Sequence, residues 1–424
     1  MSIIKSVHAR QIVDCKCRPM VEVDVVTDDG YIGTGCAPTG SSVGKAESFV
    51  LRDNNPNEYH GLSVHVAVDN VNNIIAPAII GLDVMDQKHI DQVMIQLDGT
   101  LLKEKLGGNA IFSVSIAVFR AAAAAKGVPL YEHIAGGKIR TVPIPSFNVV
   151  NGGHFENLTQ PFNEFIIMPY GADTIEQAVE MGINTFQELE KVLTKYLGHK
   201  PVVASSYGYA APSEDPEVIL ELMSEAIDNC GYTGKIGFAF DCASSEMYDQ
   251  ETNTYLLKGR RVTADELIAY AKYLTEKYDF VFIEDLLDEE DWESYPKAVK
   301  AITRTNILGD DFIVTNLERL VSANDLKAID GFILKPNQVG TISEAMDTYL
   351  YALHHDLIAV PSGRAGGVIG DVVMDFAVGL QVGFIKNGAP RSGERIDKLN
   401  FLIRACDNNK ECKLSDISPI LKFK

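Results

Sequence analysis

A parallel α/β barrel behind a smaller α+β domain is the architecture this sequence predicts. Three observations carry that reading. The chain has 424 residues, which at roughly 100–200 residues per domain leaves room for one small domain and one large barrel. Short apolar runs recur from about residue 140 onward, each associated with a charged or polar residue. The first 135 or so residues lack that rhythm and read as a separate unit.

In the first unit, Val21–Val26 (VEVDVV) alternates apolar and acidic residues, the pattern of a half-buried strand. Asp28-Asp29-Gly30 marks a turn, and Tyr31–Gly33 begins a second strand. Helical spacing follows in Asp86–Leu97 and Asn109–Ala125, the latter closed by Gly127 and Pro129. Gly136-Gly137 is the expected boundary, dividing 1–135 from 140–424.

The second unit carries the runs Glu164–Met168, Ile236–Asp241, Phe280–Asp285, Ile307–Asp310, Phe332–Lys335, Leu357–Ser362 and Gly383–Lys386. Helical patterns such as Thr263–Lys277 and Ser322–Ile329 lie between them. Most steps between run ends fall in the twenties, the length of one strand plus one helix. Buried parallel strands read as continuous apolar runs. In a barrel their C-terminal ends carry the active-site loops. An open doubly wound sheet is the competing architecture, but the chain has no early Gly-rich phosphate turn.

Composition narrows the partners. With 46% hydrophobic and 23% charged residues, the chain can bury a large core without disulfides. Its formal charge of −20 repels nucleic-acid backbones and anionic membranes, so neither is expected as a partner. A small anionic substrate remains compatible if local cations or metal ions receive it. Seven scattered cysteines suit reduced thiols and a cytoplasmic location. The start of the chain lacks the apolar core of a signal peptide, and no run reaches the roughly 18 apolar residues of a membrane span.

Asp241, Glu284 and Asp310 close three successive runs. A barrel brings them together, and three unpaired carboxylates would repel. A hard divalent cation resolves that repulsion, and an all-oxygen set favours Mg²⁺ or Mn²⁺ over zinc. Individually, each acid could instead cap a helix or pair with a base. Lys335 and Lys386 close later runs. A lysine beside a metal has its pKa lowered and can serve as a general base, unless it is simply paired with those acids. Arg364 lies in the Gly-rich loop Pro361–Gly367, where its fork suits phosphate or carboxylate, although a plain surface loop reads the same way. Pro38–Gly44 is a candidate mobile lid.

Taken together, these residues resemble the enolase (phosphopyruvate hydratase) family over nearly the whole chain. The likeness rests on Leu97–Thr100 (LDGT), Gly108–Ile111 (GNAI), Asn151–Gly153 (NGG), Asp241–Glu246 (DCASSE), Leu334–Gly340 (LKPNQVG) and Ile385–Pro390 (IKNGAP). The resemblance implies a modified eight-stranded, TIM-like α/β barrel with a smaller N-terminal α+β domain, a homodimer or higher homo-oligomer, and two Mg²⁺ ions. One ion would take Asp241, Glu284 and Asp310; the other would involve Ser42 and the substrate phosphate. Lys335 falls at the family's catalytic base, Lys386 beside the substrate carboxylate, Arg364 at the phosphate, and Glu164 at one of two active-site glutamates.

The chain also departs from that family. Where enolases carry a second glutamate, this sequence has Tyr207. The loop that reads Ser-His-Arg-Ser-Gly-Glu in the family reads Ser362-Gly363-Arg364-Ala365-Gly366-Gly367 here. Phe155 takes the place of a histidine, and His154, one position earlier, is the candidate to contact substrate instead. The side that abstracts a proton is intact while the side that expels a hydroxyl is stripped. The resulting expectation is Mg²⁺-assisted α-proton abstraction from a 2-phosphoglycerate-like phospho- or phosphonocarboxylate, followed by an altered second step. The alternatives are ordinary phosphopyruvate hydratase activity and a non-catalytic paralogue.

Overall fold

The computed structural model describes residues 1–40, 44–155 and 158–424. Strands Ile4–Val13, Pro19–Thr27 and Ile32–Cys36 form an antiparallel sheet in that order. The first was not legible in the sequence because it is an edge strand with only Ile4 and Ala9 buried. Helix Gly108–Lys126 lies across this sheet. A Cβ on Gly33 would stand 2.0 Å from the Ala117 carbonyl oxygen, and one on Gly35 2.1 Å from that of Ser113. The two glycines therefore let sheet and helix backbones touch. By length and composition this helix could cross a membrane, but 83% of its apolar window is buried inside the fold. Helix Gln87–Asp98 begins one residue later than expected because Asp86 caps it, accepting from the His89 amide.

Eight strands make the barrel: Ile144–Phe155, Leu158–Met168, Gly237–Asp241, Phe280–Glu284, Asn306–Gly309, Gly331–Leu334, Ile358–Pro361 and Phe384–Lys386. The last pairs in parallel with the first, and a Ser362–Lys386 bridge completes the ring. Between the strands, helix Ala264–Lys277 has a full capping box of Thr263 and Glu266. The helix expected over 322–329 instead runs Leu317–Asp325, capped by Asn316.

One strand corrects the all-parallel expectation. Leu158–Met168 runs antiparallel to both of its neighbours. Glu164 thus precedes its apolar stretch, yet it pairs in register with Asp241 at the same end of the barrel. The first strand, Ile144–Phe155, also escaped the sequence reading.

Side chains alternate across a strand, so residues two apart share a face. Ile166, Ala239, Phe282, Leu308, Ile333 and Phe384 belong to one buried cluster filling the barrel. Two positions away, on the same strands or one residue past their ends, stand Glu164, Asp241, Glu284, Asp310, Lys335 and Lys386. An apolar plug therefore floors a charged layer at the barrel mouth.

Candidate active site

Lys386 occupies the centre of the charged layer. Its ammonium lies 2.5 Å from Glu284 Oε2, 3.1 Å from Asp241 Oδ2 and 3.5 Å from Glu164 Oε2. Lys335 donates to Asp310. Supporting amides hold the acids in place: Gln338 Nε2 donates to Asp310 Oδ1 at 2.9 Å, and Asn148 Nδ2 donates to Glu164 Oε1 at 2.8 Å. All of these groups are buried or nearly so, which makes their charges interact strongly.

The electrostatics follow from that packing. Burial pushes the Glu284 carboxyl well above the usual carboxylate range, with Asp241 adding to the shift and Lys386 opposing it. For Asp310, burial is outweighed by Lys335 and Lys386, which hold it below the usual range. Burial likewise disfavours the Lys335 ammonium, but Asp310 outweighs it and the pKa rises. With no cation beside it the lysine is the counterion of the acid, the pairing that the sequence left open as the alternative to a lysine beside a metal.

Asp241, Glu284 and Asp310 suit a hard cation. They offer oxygen donors only, and Glu284 Oε1 is buried without a hydrogen-bond partner among the described residues. Two ammonium groups already sit among them, so the pocket is built to receive positive charge. Asp285 and Asp311 lie alongside Asp310 within possible ligating distance of one another. Ser42, expected at a second ion, lies outside the described residues, as does part of the proposed lid.

Arg364 lines the same cavity. Its guanidinium meets Glu47 with both terminal nitrogens, Nη1 and Nη2, at 2.8 and 3.2 Å. Burial disfavours that charge, but Glu47 more than compensates and raises the pKa. Glu47 lies 317 positions from Arg364 and gave no sequence signal. The loop bearing Arg364 is held against the N-terminal domain, where the Gly366 amide donates to the Thr39 carbonyl at 3.0 Å.

Two candidate positions fall outside the cavity. His154 is exposed, and its Nδ1 bonds Thr159 Oγ1 at 2.8 Å on the rim hairpin. The structure does not bring it to the carboxylates. Tyr207 turns its hydroxyl to the Cys15 carbonyl at 3.2 Å, and the Arg395 guanidinium covers its ring. Sequence reasoning also missed Asn163, Asn387 and Lys398, which line the cavity. Both side-chain amide atoms of Asn387 are buried without hydrogen-bond partners among the described residues.

The comparisons with known proteins agree with this architecture. The family described as "Enolase, N-terminal domain" matches residues 4–134, and "Enolase, C-terminal TIM barrel domain" matches residues 139–413. The chain is 42% identical over 402 residues to a protein named enolase from Methanococcus aeolicus, covering 95% of this chain and 94% of the relative. It is 41% identical to an enolase of Methanococcus maripaludis strain S2 and 42% identical to that of strain C5, with the same coverage. Matches spanning both domains, together with relatives of this identity and coverage, show that the chain belongs to the enolase family.

Proposed function

We propose that this chain abstracts the α-proton of a 2-phosphoglycerate-like phospho- or phosphonocarboxylate, with Mg²⁺ bound, and gives the resulting enediolate an altered fate. Family membership supports a lyase of the dehydratase class. The observation that carries the finer reading is the split in the cavity. Lys335 and Lys386 line one cavity with the acids they bond, whereas the side expected to release a leaving group holds Gly363 and Ala365, with Tyr207 turned away.

Lys335 is the proposed base and takes the α-proton on Nζ. Lys386 orients the substrate carboxylate, and Arg364 meets its phosphoryl group. Glu164 lines the same cavity from the reversed strand and is the carboxyl proposed for a second proton transfer. Asp241, Glu284 and Asp310 would hold a Mg²⁺ ion. When bound, such an ion supplies positive charge beside the carboxylate on which negative charge develops. The apolar layer beneath excludes water from below, which strengthens every charge interaction above it.

Exchange of the substrate α-proton with deuterated solvent, followed by NMR with 2-phosphoglycerate and Mg²⁺, tests the first step. Exchange in the natural protein and its loss by roughly 10²–10⁴ in Lys335→Ala supports a general base at this position. Exchange that survives Lys335→Ala refutes that role.

Ordinary phosphopyruvate hydratase activity is the second reading, favoured by the relatives' printed name and by Glu164 in the cavity. Turnover of 2-phosphoglycerate comparable with that of the Methanococcus proteins, assayed side by side, selects it. A deficit near 10²–10⁴, the usual worth of a positioned acid, selects an altered second step.

A further inference from the structure

The cavity wall that carries Gly363 and Ala365 is approached by a cation from elsewhere in the chain. Helix Gly393–Asp407 carries Lys398 on its buried face. A Cβ built on Gly363 would stand 2.3 Å from Lys398 Nζ, so the lysine reaches the space that any side chain at 363 would enter. Gly367 makes the matching concession to Glu394, whose Oε2 would lie 2.8 Å from a Cβ there.

The contacts of Lys398 differ from those of the other cations lining the cavity. Lys335 and Lys386 donate hydrogen bonds to carboxylates, Arg364 to Glu47, and Arg395 to Glu394 and the Ser206 carbonyl. Lys398 approaches Glu394 Oε2 at 3.2 Å and Asp371 Oδ2 at 3.5 Å, and neither oxygen holds a hydrogen bond among the described residues. The two contacts neutralise the ammonium and account for at most two of its three N–H groups. Its side chain is 4% exposed and borders the cavity. A buried ammonium with a donor left over, beside Arg364 and next to a wall of glycine and alanine, suits an oxyanion that Arg364 also reaches.

We propose that Lys398 is a specificity-determining residue of this enzyme, binding a phosphoryl or phosphonyl group of the substrate together with Arg364. The inference deepens the proposed function and takes its substrate class from it. The competing explanation is a purely structural ion pair that fastens the helix to the loop.

The test uses the full chain loaded with Mg²⁺ and measures calorimetric affinities for inorganic phosphate and for glycerate, which carries the carboxylate alone. Lys398→Met is expected to weaken phosphate binding tenfold or more while glycerate changes less than twofold; Lys398→Arg restores most of the loss. Gly363→Ser keeps the charge but pushes it aside, and is expected to reproduce the selective loss even if Lys398→Met fails to fold. A natural protein that does not bind phosphate, variants that bind it as tightly, or equal losses for both ligands each overturn the proposal. Failure of α-proton exchange with phosphate selectivity intact would count against the enediolate reading alone.

Discussion

Replacing Lys386 with methionine removes the cation at the centre of the charged layer and leaves the side chain's bulk. Asp241, Glu284 and Glu164 then face one another with no ammonium between them. Breaking a buried ion pair by deleting one partner costs about 3–5 kcal/mol, because the other charge is left uncompensated. At about 2.1 cal/mol/K of unfolding entropy per residue, a chain of this size unfolding as one unit should lose roughly 3–6 °C in Tm. Two conditions should reduce that loss. Glu284 already has a raised pKa from burial and Asp241, and Lys386 opposes that rise. Without the lysine its folded-state pKa climbs further, so the folded variant retains a proton at higher pH. A proton can stand in for the ammonium, and the deficit should shrink as pH falls from 8 towards 5.5. Mg²⁺ should also restore stability, because it binds the folded carboxylates and not the unfolded chain. Differential scanning calorimetry at two pH values, with and without Mg²⁺, reads all three effects. A variant with unchanged Tm, or one whose Mg²⁺-induced rise is no larger than that of the natural protein, refutes the account of this layer.

Two further outcomes follow from the packing. Gly182→Ala places a Cβ 2.2 Å from the Phe147 ring, so overpacking of about 1–3 kcal/mol should outweigh the roughly 1 kcal/mol gain in helix propensity. A higher urea midpoint for that variant contradicts the prediction. Asp91 is buried between the two domains, bonding Ser115, Ser343 and Gln87, and burial raises its pKa to about 6. A raised carboxyl pKa stabilises the fold fully below the unfolded value and ceases to do so as pH rises through about 6, a swing of roughly 3 kcal/mol. Asp91→Asn, whose amide can face the unpartnered Gln87 Oε1, should flatten urea midpoints between pH 4.5 and 7; an unchanged slope rejects this assignment.

The parts of the site legible in the sequence share one physical cause. Parallel strands covered on both faces must be apolar until they leave the barrel, so the charged residue ending such a run is placed by the run itself. Asp241, Glu284, Asp310, Lys335 and Lys386 were found that way. Glu164 was found only as a residue bordering a run, because an apolar stretch does not reveal which way it points. Glu47 and Lys398 had no comparable signal. Glu47 enters from the other domain, and Glu394 with Lys398 reads as an ordinary i,i+4 helix pair until Gly363 is seen beneath it. His154 had the opposite basis: it was chosen for its proximity in sequence to a family position, and it lies exposed on the rim hairpin.

The reversed strand has a consequence for how such a protein can change. Ile144–Phe155 and Leu158–Met168 are far longer than the three- to five-residue staves beside them. The ring engages only Ile144–Ser146 of one and Glu164–Met168 of the other with the neighbouring central strands. Beyond those anchors the two arms lean mainly on each other, like a parapet above a well. Evolution can recut that parapet, and with it the guests admitted, while the masonry of the shaft stays untouched.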